Sequence, residues 1–372
     1  MRVTVAAVAT VTRMDFAYVE GVRLRRTEEN AEEIDALADR LGGRVGLGPV
    51  LADLNRRGRR ALPWGRAVTR AFTWDREDRR TPRWFPQGIS TSADADETDR
   101  VEGRLLVAVA WYLSDANGKN QGSRITLLDL GTLRYRHVLL VVPRIEDGRL
   151  SLTPLKVHAG GIVWHGPYLH VAATNRGFVT CRLDDLMRVP DDADDLRRLG
   201  IEGDEVASYR YRYVLPVRLG YQAEAVEGHE RMTYSFLSLD RTSTPATIVA
   251  GEYSRGQSSD RLARFPLDPE TSLLHTGDDG FARPIQLASG GVKSMQGAAY
   301  ARGRYHVTAS HGSWKPGSVY VGEPGALRRH RFATPMGPED IAYWPSADLL
   351  WSLTEHPGRR WVFAMRRSWF DR

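Results

Sequence analysis

The chain has 372 residues, 42% hydrophobic, 26% charged and 9% aromatic, a globular balance that excludes wholesale disorder and a collagen-like fibre. Its one cysteine, Cys181, excludes an internal disulfide and a cysteine zinc cluster, and no apolar run reaches the roughly 18 residues that span a bilayer. Lys+Arg 52 against Asp+Glu 46 leaves +6, carried almost wholly by arginine. Acidic residues are interspersed with the arginines almost everywhere, so neither nucleic acid nor a membrane is the expected partner. The densest cluster, Arg56, Arg57, Arg59 and Arg60, reads as a solvated helix end.

At the N-terminus, Arg2 precedes a ten-residue weakly apolar stretch, the outline of a secretory leader. Three threonines, a closing Arg13 and the lack of a small-x-small cleavage site favour a Val/Thr strand instead. The protein is therefore read as cytoplasmic, with secretion as the alternative. Residues 27–41 carry the one amphipathic helix pattern, with Thr27 as cap, acids in the first turn, and Ile34, Leu37, Ala38 and Leu41 on one face before Gly42-Gly43. A second short helix is expected over 49–57. Residues 1–65 thus form an N-terminal segment, and 66–372 a separate domain of short Val/Ile/Leu/Tyr/Trp runs punctuated by Gly, Pro, Asp and Asn, an all-β pattern.

Within that domain a phrase of polar, small and then apolar residues recurs: Gln87-Gly88-Ile89-Ser90, His158-Ala159-Gly160-Gly161-Ile162, Met295-Gln296-Gly297-Ala298 and Pro338-Glu339-Asp340-Ile341. Second strands follow at Leu105–Trp111, Tyr168–Thr174, Arg304–Ser310 and Leu349–Thr354. Third strands follow at 124–130, 178–183, 318–321 and 361–365. A divergent copy opens at Met232 and continues through Thr247–Glu252 and Arg261–Leu267. Such repeats predict a β-propeller, five-bladed, with six blades if an insert of the unevenly spaced copies hides another. The last copy has only three strands, so an N-terminal strand, Arg66–Trp74 or Arg2–Val11, is expected to close the ring. The helices would pack outside it or across one end.

In a propeller the innermost strand starts, and the second strand ends, at the same end of the central channel. Gln87, His158, Tyr234 or Ser235, Gln296, Glu339 and Asp340 form the first set there, and Asp115, Asn175, Glu252, His311, Glu355 and His356 the second. Crowded carboxylates split into one acid and one base. One of Glu252, Glu339 and Glu355 is thus the expected base, and His158 or His311 the acid or electrostatic partner. Gln87, Asn175 and Gln296 would orient a substrate, with Asp340 and His356 beside them. Aromatic residues at second-strand ends, Trp111, Tyr112, Tyr253 and Trp314, are further ligand candidates, with blade packing as the other reading. The structural alternatives are that Glu339-Asp340 tie blades together through backbone N–H groups and that Glu355-His356-Pro357 is only a turn. Asp115–Asn120 lacks the EF-hand spacing and reads as a hairpin turn. Without H-x-x-x-H or H-x-H spacing no metal or other cofactor is expected, a divalent ion being left open. The lack of a nucleophile elbow or Walker A loop disfavours those hydrolase and NTPase classes.

The stretches Trp84-Phe85-Pro86-Gln87-Gly88-Ile89, His158–Trp164, Tyr213-Val214-Leu215-Pro216 and Ser238-Leu239-Asp240-Arg241 resemble a set of uncharacterised actinobacterial propeller-like proteins, many of them secreted. The likeness spans most of 66–365. It implies the fold and brings no activity. The expectation is a monomeric enzyme performing cofactor-independent acid–base chemistry (hydrolysis, elimination or cyclisation) on a small polar metabolite, possible in specialised metabolism. A lectin-like sugar-binding propeller and a protein-interaction scaffold are the alternatives.

Overall fold

Alternation of apolar residues along the strands sets the architecture. In Leu106–Ser114, for example, Leu106, Ala108 and Ala110 belong to one apolar core, while Val107, Val109 and Trp111 belong to another. A strand with both faces buried must sit between two neighbours. The computed structural model, which describes residues 16–254 and 260–372, arranges such strands in five antiparallel meanders. Blade 1 comprises Trp84–Thr91, Leu106–Ser114, Asn120–Asp129 and Arg134–Glu146. Blade 2 comprises Ile162–His165, Tyr168–Ala172, Gly177–Arg182 and Tyr213–Ala225. Blade 3 has Phe236–Asp240, Thr247–Gly251, Arg261–Pro266 and Gln286–Ser289, and blade 4 has Met295–Ala301, Arg304–Ala309, Ser318–Gly322 and Arg328–His330.

Blade 5 takes Pro338–Trp344, Leu349–Thr354 and Trp361–Arg366 from the C-terminal end. Its fourth strand is Val68–Thr73, antiparallel to Trp361–Arg366 with Ala71 opposite Phe363, and Arg59–Ala61 pairs outside that. The chain is a five-bladed β-propeller closed by an N-terminal strand. The other expected clasp, Arg2–Val11, lies outside the described residues.

Five apolar cores fill the five gaps between blades. The glycine of the recurring phrase explains how close the inner strands come. A Cβ on Gly88 would lie 2.9 Å from Gly161 C, one on Gly161 would overlap Leu237 N, and one on Gly297 would lie 2.7 Å from Asp340 Cα. Each glycine lets the next blade's innermost strand pack against its backbone.

The outer strands of blades 1 and 2 pair in parallel, Leu215 opposite Leu140, joining the two blades into one sheet. Val22–Arg26 extends that sheet along Tyr213–Ala225. Helix α1 (Ala31–Leu41) lies on its outside, its Ile34, Leu37, Ala38 and Leu41 packed among Leu139, Val141, Leu152 and Val214. Helix α2 spans Leu47–Ala52. The cap of α1 is Asn30, not Thr27, because the Thr27 hydroxyl is engaged in accepting the Gly220 N–H at 2.9 Å. Gly42 ends the helix at φ 79, a left-handed conformation that glycine adopts without strain. Residues 183–212, the long insert of blade 2, hold a hairpin, Leu199–Glu202 with Glu205–Ser208, rather than a blade.

Candidate functional site at the propeller axis

The start of the innermost strand is irregular in three blades. Its register slips between Pro86 and Ile89, between Met295 and Gly297, and between Pro338 and Ile341. A bulge inserts an extra residue and re-aims its side chain, and the residues within these slips include Gln87, Gln296 and Glu339. Together with Gly160 and Ser235 at the matching point of blades 2 and 3, they line an axial cavity of about 430 Å³. Tyr112, Thr174, Tyr253 and Glu355, at or just beyond second-strand ends, complete the wall with His158. Every blade contributes.

The electrostatics centre on blade 5. Glu339 is 4% exposed, and its carboxyl group lies near enough to Glu355 and Asp340 to feel their charges. Burial first, then the neighbouring Glu355 and Asp340 charges, push the Glu339 pKa well above the usual carboxylate range, so it holds its proton to higher pH than an ordinary glutamate. Glu355 receives the Gln87 side-chain N–H on Oε2 at 2.9 Å, and Arg360 donates to its backbone carbonyl at 2.6 Å. The Gln87 amide and the Arg360 guanidinium thus both lie on the Glu355 side.

Tyr112 is pushed up to about 12 by burial and by the Glu355 and Glu339 charges, so it stays a neutral donor. Its ring stacks on Phe85 and meets His158 at a centroid distance of 4.5 Å. The His158 ring is open to the cavity yet walled by protein, and this loss of bulk water lowers its pKa. It faces the cavity as a neutral imidazole.

Other expected residues are placed elsewhere. Glu252 is 3% exposed and bound by Arg261, with Nη2 and Nε each 2.9 Å from its oxygens, and by the Thr233 N–H at 2.9 Å; it braces blade 3. His311 Nε2 accepts from Arg329 at 2.7 Å and sits 2.9 Å from Ser318 Oγ, outside the cavity wall. Trp111 is fully buried between blades 5 and 1; strand alternation turns it away and turns Tyr112 inward. Asp340 ties blade 5 to blade 1 by accepting the Ile89 N–H at 3.0 Å. His356 lies behind Glu355, Nδ1 to Oε1 3.6 Å. Asn175 lines an adjoining hollow that shares Tyr112, His158 and Thr174 with the cavity, and it accepts from Thr233 at 3.0 Å.

Of the expected pair Tyr234 or Ser235, it is Ser235 that lines the cavity, while Tyr234 is buried in the core. Gly160 and Thr174 were not singled out as ligand residues, and only their position equivalent to Gln87, Gln296 or a second-strand end marks them. The turn at Asp115 has the expected hairpin form, its carboxylate accepting the Asn117 and Lys119 N–H groups. Among the described residues no group of three His, Cys, Asp or Glu side chains is placed to hold a metal ion, and no helix is long and apolar enough to cross a membrane.

No protein-family model and no curated protein matches the chain. Among solved structures it is similar to the β-propeller domain of Cps50 (Swd1) from Myceliophteria thermophila, with 11% identity over 81% of this chain and 99% of that one, at a TM-score of 0.38. It is also similar to CoXyl43, a GH43 β-xylosidase/α-arabinofuranosidase from a compost microbial metagenome solved with xylotriose, with 8% identity, 82% and 94% coverage and a TM-score of 0.36. A GH43_1 enzyme from Xanthomonas citri complexed with xylotriose gives 9% identity, 76% and 87% coverage and a TM-score of 0.33. The chemistry of the cavity rests on its own geometry.

Proposed function

We propose that the axial cavity is the active site of an enzyme that performs acid–base chemistry, without a redox cofactor, on a small hydroxyl-rich ligand. The single observation that carries this is that two neighbouring carboxyl groups, the buried Glu339 and Glu355, line one open cavity. A protonated acid next to a carboxylate can give a proton and take one in the same turnover. In hydrolysis, Glu339 protonates the departing oxygen while water attacks, and the proton lost by that water goes to Glu355. The pair again holds one proton at the end. Elimination or cyclisation would draw on the same exchange.

Gln87, Gln296, Ser235 and Thr174 supply neutral donors and acceptors for hydroxyl groups, and Tyr112 and Tyr253 supply ring faces. Those same features favour, as the second reading, a lectin-like module that binds a sugar without turning it over. The two are separated by a thermal-shift panel of mono- and oligosaccharides, sugar acids and nucleosides, followed by product analysis for each compound that stabilises the protein. Glu339→Gln is expected to keep the shift and lose the product. A shift with no product from the wild type supports the lectin. If no compound shifts the wild type, the cavity is not a site for this class of ligand.

A further inference from the structure

We infer that a second cleft, on the rim of blade 1, binds a multiply charged oxyanion, a small molecule bearing two or more phosphate or carboxylate groups. The cleft measures about 900 Å³ and lies where residues 55–84, strands of blade 1 and the insert of blade 2 meet. Seven arginines line it against the carboxylates of Glu77, Asp78 and Asp115. A concave surface of one dominant sign concentrates counter-ions of the other, and the planar guanidinium fork suits both kinds of oxyanion.

The acids present are already engaged. Asp78, 2% exposed, accepts from Arg124 Nη2 at 2.8 Å, Tyr135 Oη at 2.7 Å and His137 Nε2 at 2.9 Å, and lies 3.2 Å from Arg56. Asp115 is occupied by its own turn. Arg83, Arg197 and Arg210 have no carboxylate within ion-pair distance among the described residues and stand exposed at the cleft. Three cations thus face one opening with nothing to balance them.

The floor is built rather than incidental. Arg124, 4% exposed, is held by Asp78, donates to Tyr211 Oη at 3.1 Å, and lies 4.3 Å from the Trp84 ring centroid. Its Nε is buried without a hydrogen-bond partner. Arg136 is also buried at the cleft, and burial lowers its pKa, so an anion would restore interactions that this cation lost with water.

The test is calorimetric titration of the full-length protein with inorganic pyrophosphate and, separately, with citrate, at about 0.02 M and about 0.2 M salt. The proposal expects one-to-one binding of at least one probe. That binding should weaken about tenfold or more in Arg83→Gln/Arg197→Gln/Arg210→Gln, weaken with salt, and stay unchanged in Glu339→Gln. Pyrophosphate alone assigns phosphoesters and citrate alone assigns polycarboxylates. The three arginines are exposed, so an unchanged melting temperature will confirm that the variant folds. No binding of either probe at millimolar concentration, or equal affinity in the triple variant, overturns the proposal.

Discussion

Glu339 and Glu355, both from blade 5, share the wall of a cavity to which every blade contributes a residue. Neighbouring carboxylates resist ionising together, and burial makes Glu339 the one that holds its proton to higher pH. Glu339→Gln keeps the shape and removes the acid. Turnover of any substrate found should fall by about 10²-fold or more, with binding retained, as single-turnover kinetics and calorimetry together would reveal.

The same substitution should raise stability. The unfolded chain ionises Glu339 from its ordinary value of 4.5 upward, whereas the folded protein holds the proton until its raised value is reached. Stability therefore declines as pH climbs between those two points. Thermal melts of wild type and Glu339→Gln should coincide near pH 4 and separate in favour of the glutamine variant at pH 7 to 8. Equal melts at both ends would mean that Glu339 is not held protonated.

Turnover should decline on the alkaline side as Glu339 gives up its proton. On the acid side any loss from protonation of His158, whose pKa burial lowers, should set in below the ordinary 6.5. A profile of kcat/KM against pH would show this, and a rate that climbs steadily with pH would remove Glu339 as the proton donor.

Asp78 works in the opposite sense. Burial opposes its charge, but His137, Arg124 and Arg56 overcome that cost and hold the carboxyl far below its ordinary 3.8. Its stabilising contribution is present above that ordinary value and fades as pH falls toward the folded one. Asp78→Asn leaves buried cations unpaired and should cost ~3 kcal/mol or more in denaturant melts at pH 7. The deficit should narrow as the acid limb of the wild-type curve is entered.

Gly161 offers a test of the ring itself. A methyl group there would overlap the Leu237 N of blade 3, so Gly161→Ala should destabilise the fold by roughly 1–3 kcal/mol. Gly148, in a turn with open space around its missing side chain, is the control for the loss of a glycine without crowding, although its φ of 73 adds local strain of its own.

Much of this fold could be read from residues alone because the repeated phrase has a physical cause. Gly88, Gly161 and Gly297 recur where backbones touch, and apolar alternation marks strands buried on both faces. The thirteen-residue outer strands of blades 1 and 2 were harder to see, since their parallel pairing leaves no turn signal between them. At the site, Gln87, Gln296 and Glu339 were legible as polar residues opening apolar strands. Trp111 and Tyr112 both stood as ligand candidates, and a one-residue change of parity puts the first in the core and the second in the cavity. Glu252 looked like a free acid because its partner, Arg261, comes from the adjoining strand. The arginine cleft left no trace in the sequence, as its walls come from three distant stretches.

Closure by Val68–Thr73 carries a cost during biosynthesis. That strand is made before blades 1 to 4, yet its partner, Trp361–Arg366, is made only after them. Until then blades 1 to 4 would form an open arc whose terminal backbone groups invite pairing with other nascent chains. A shortage of assistance from chaperones should therefore be felt as aggregation of unfinished arcs rather than as unfolding of completed rings.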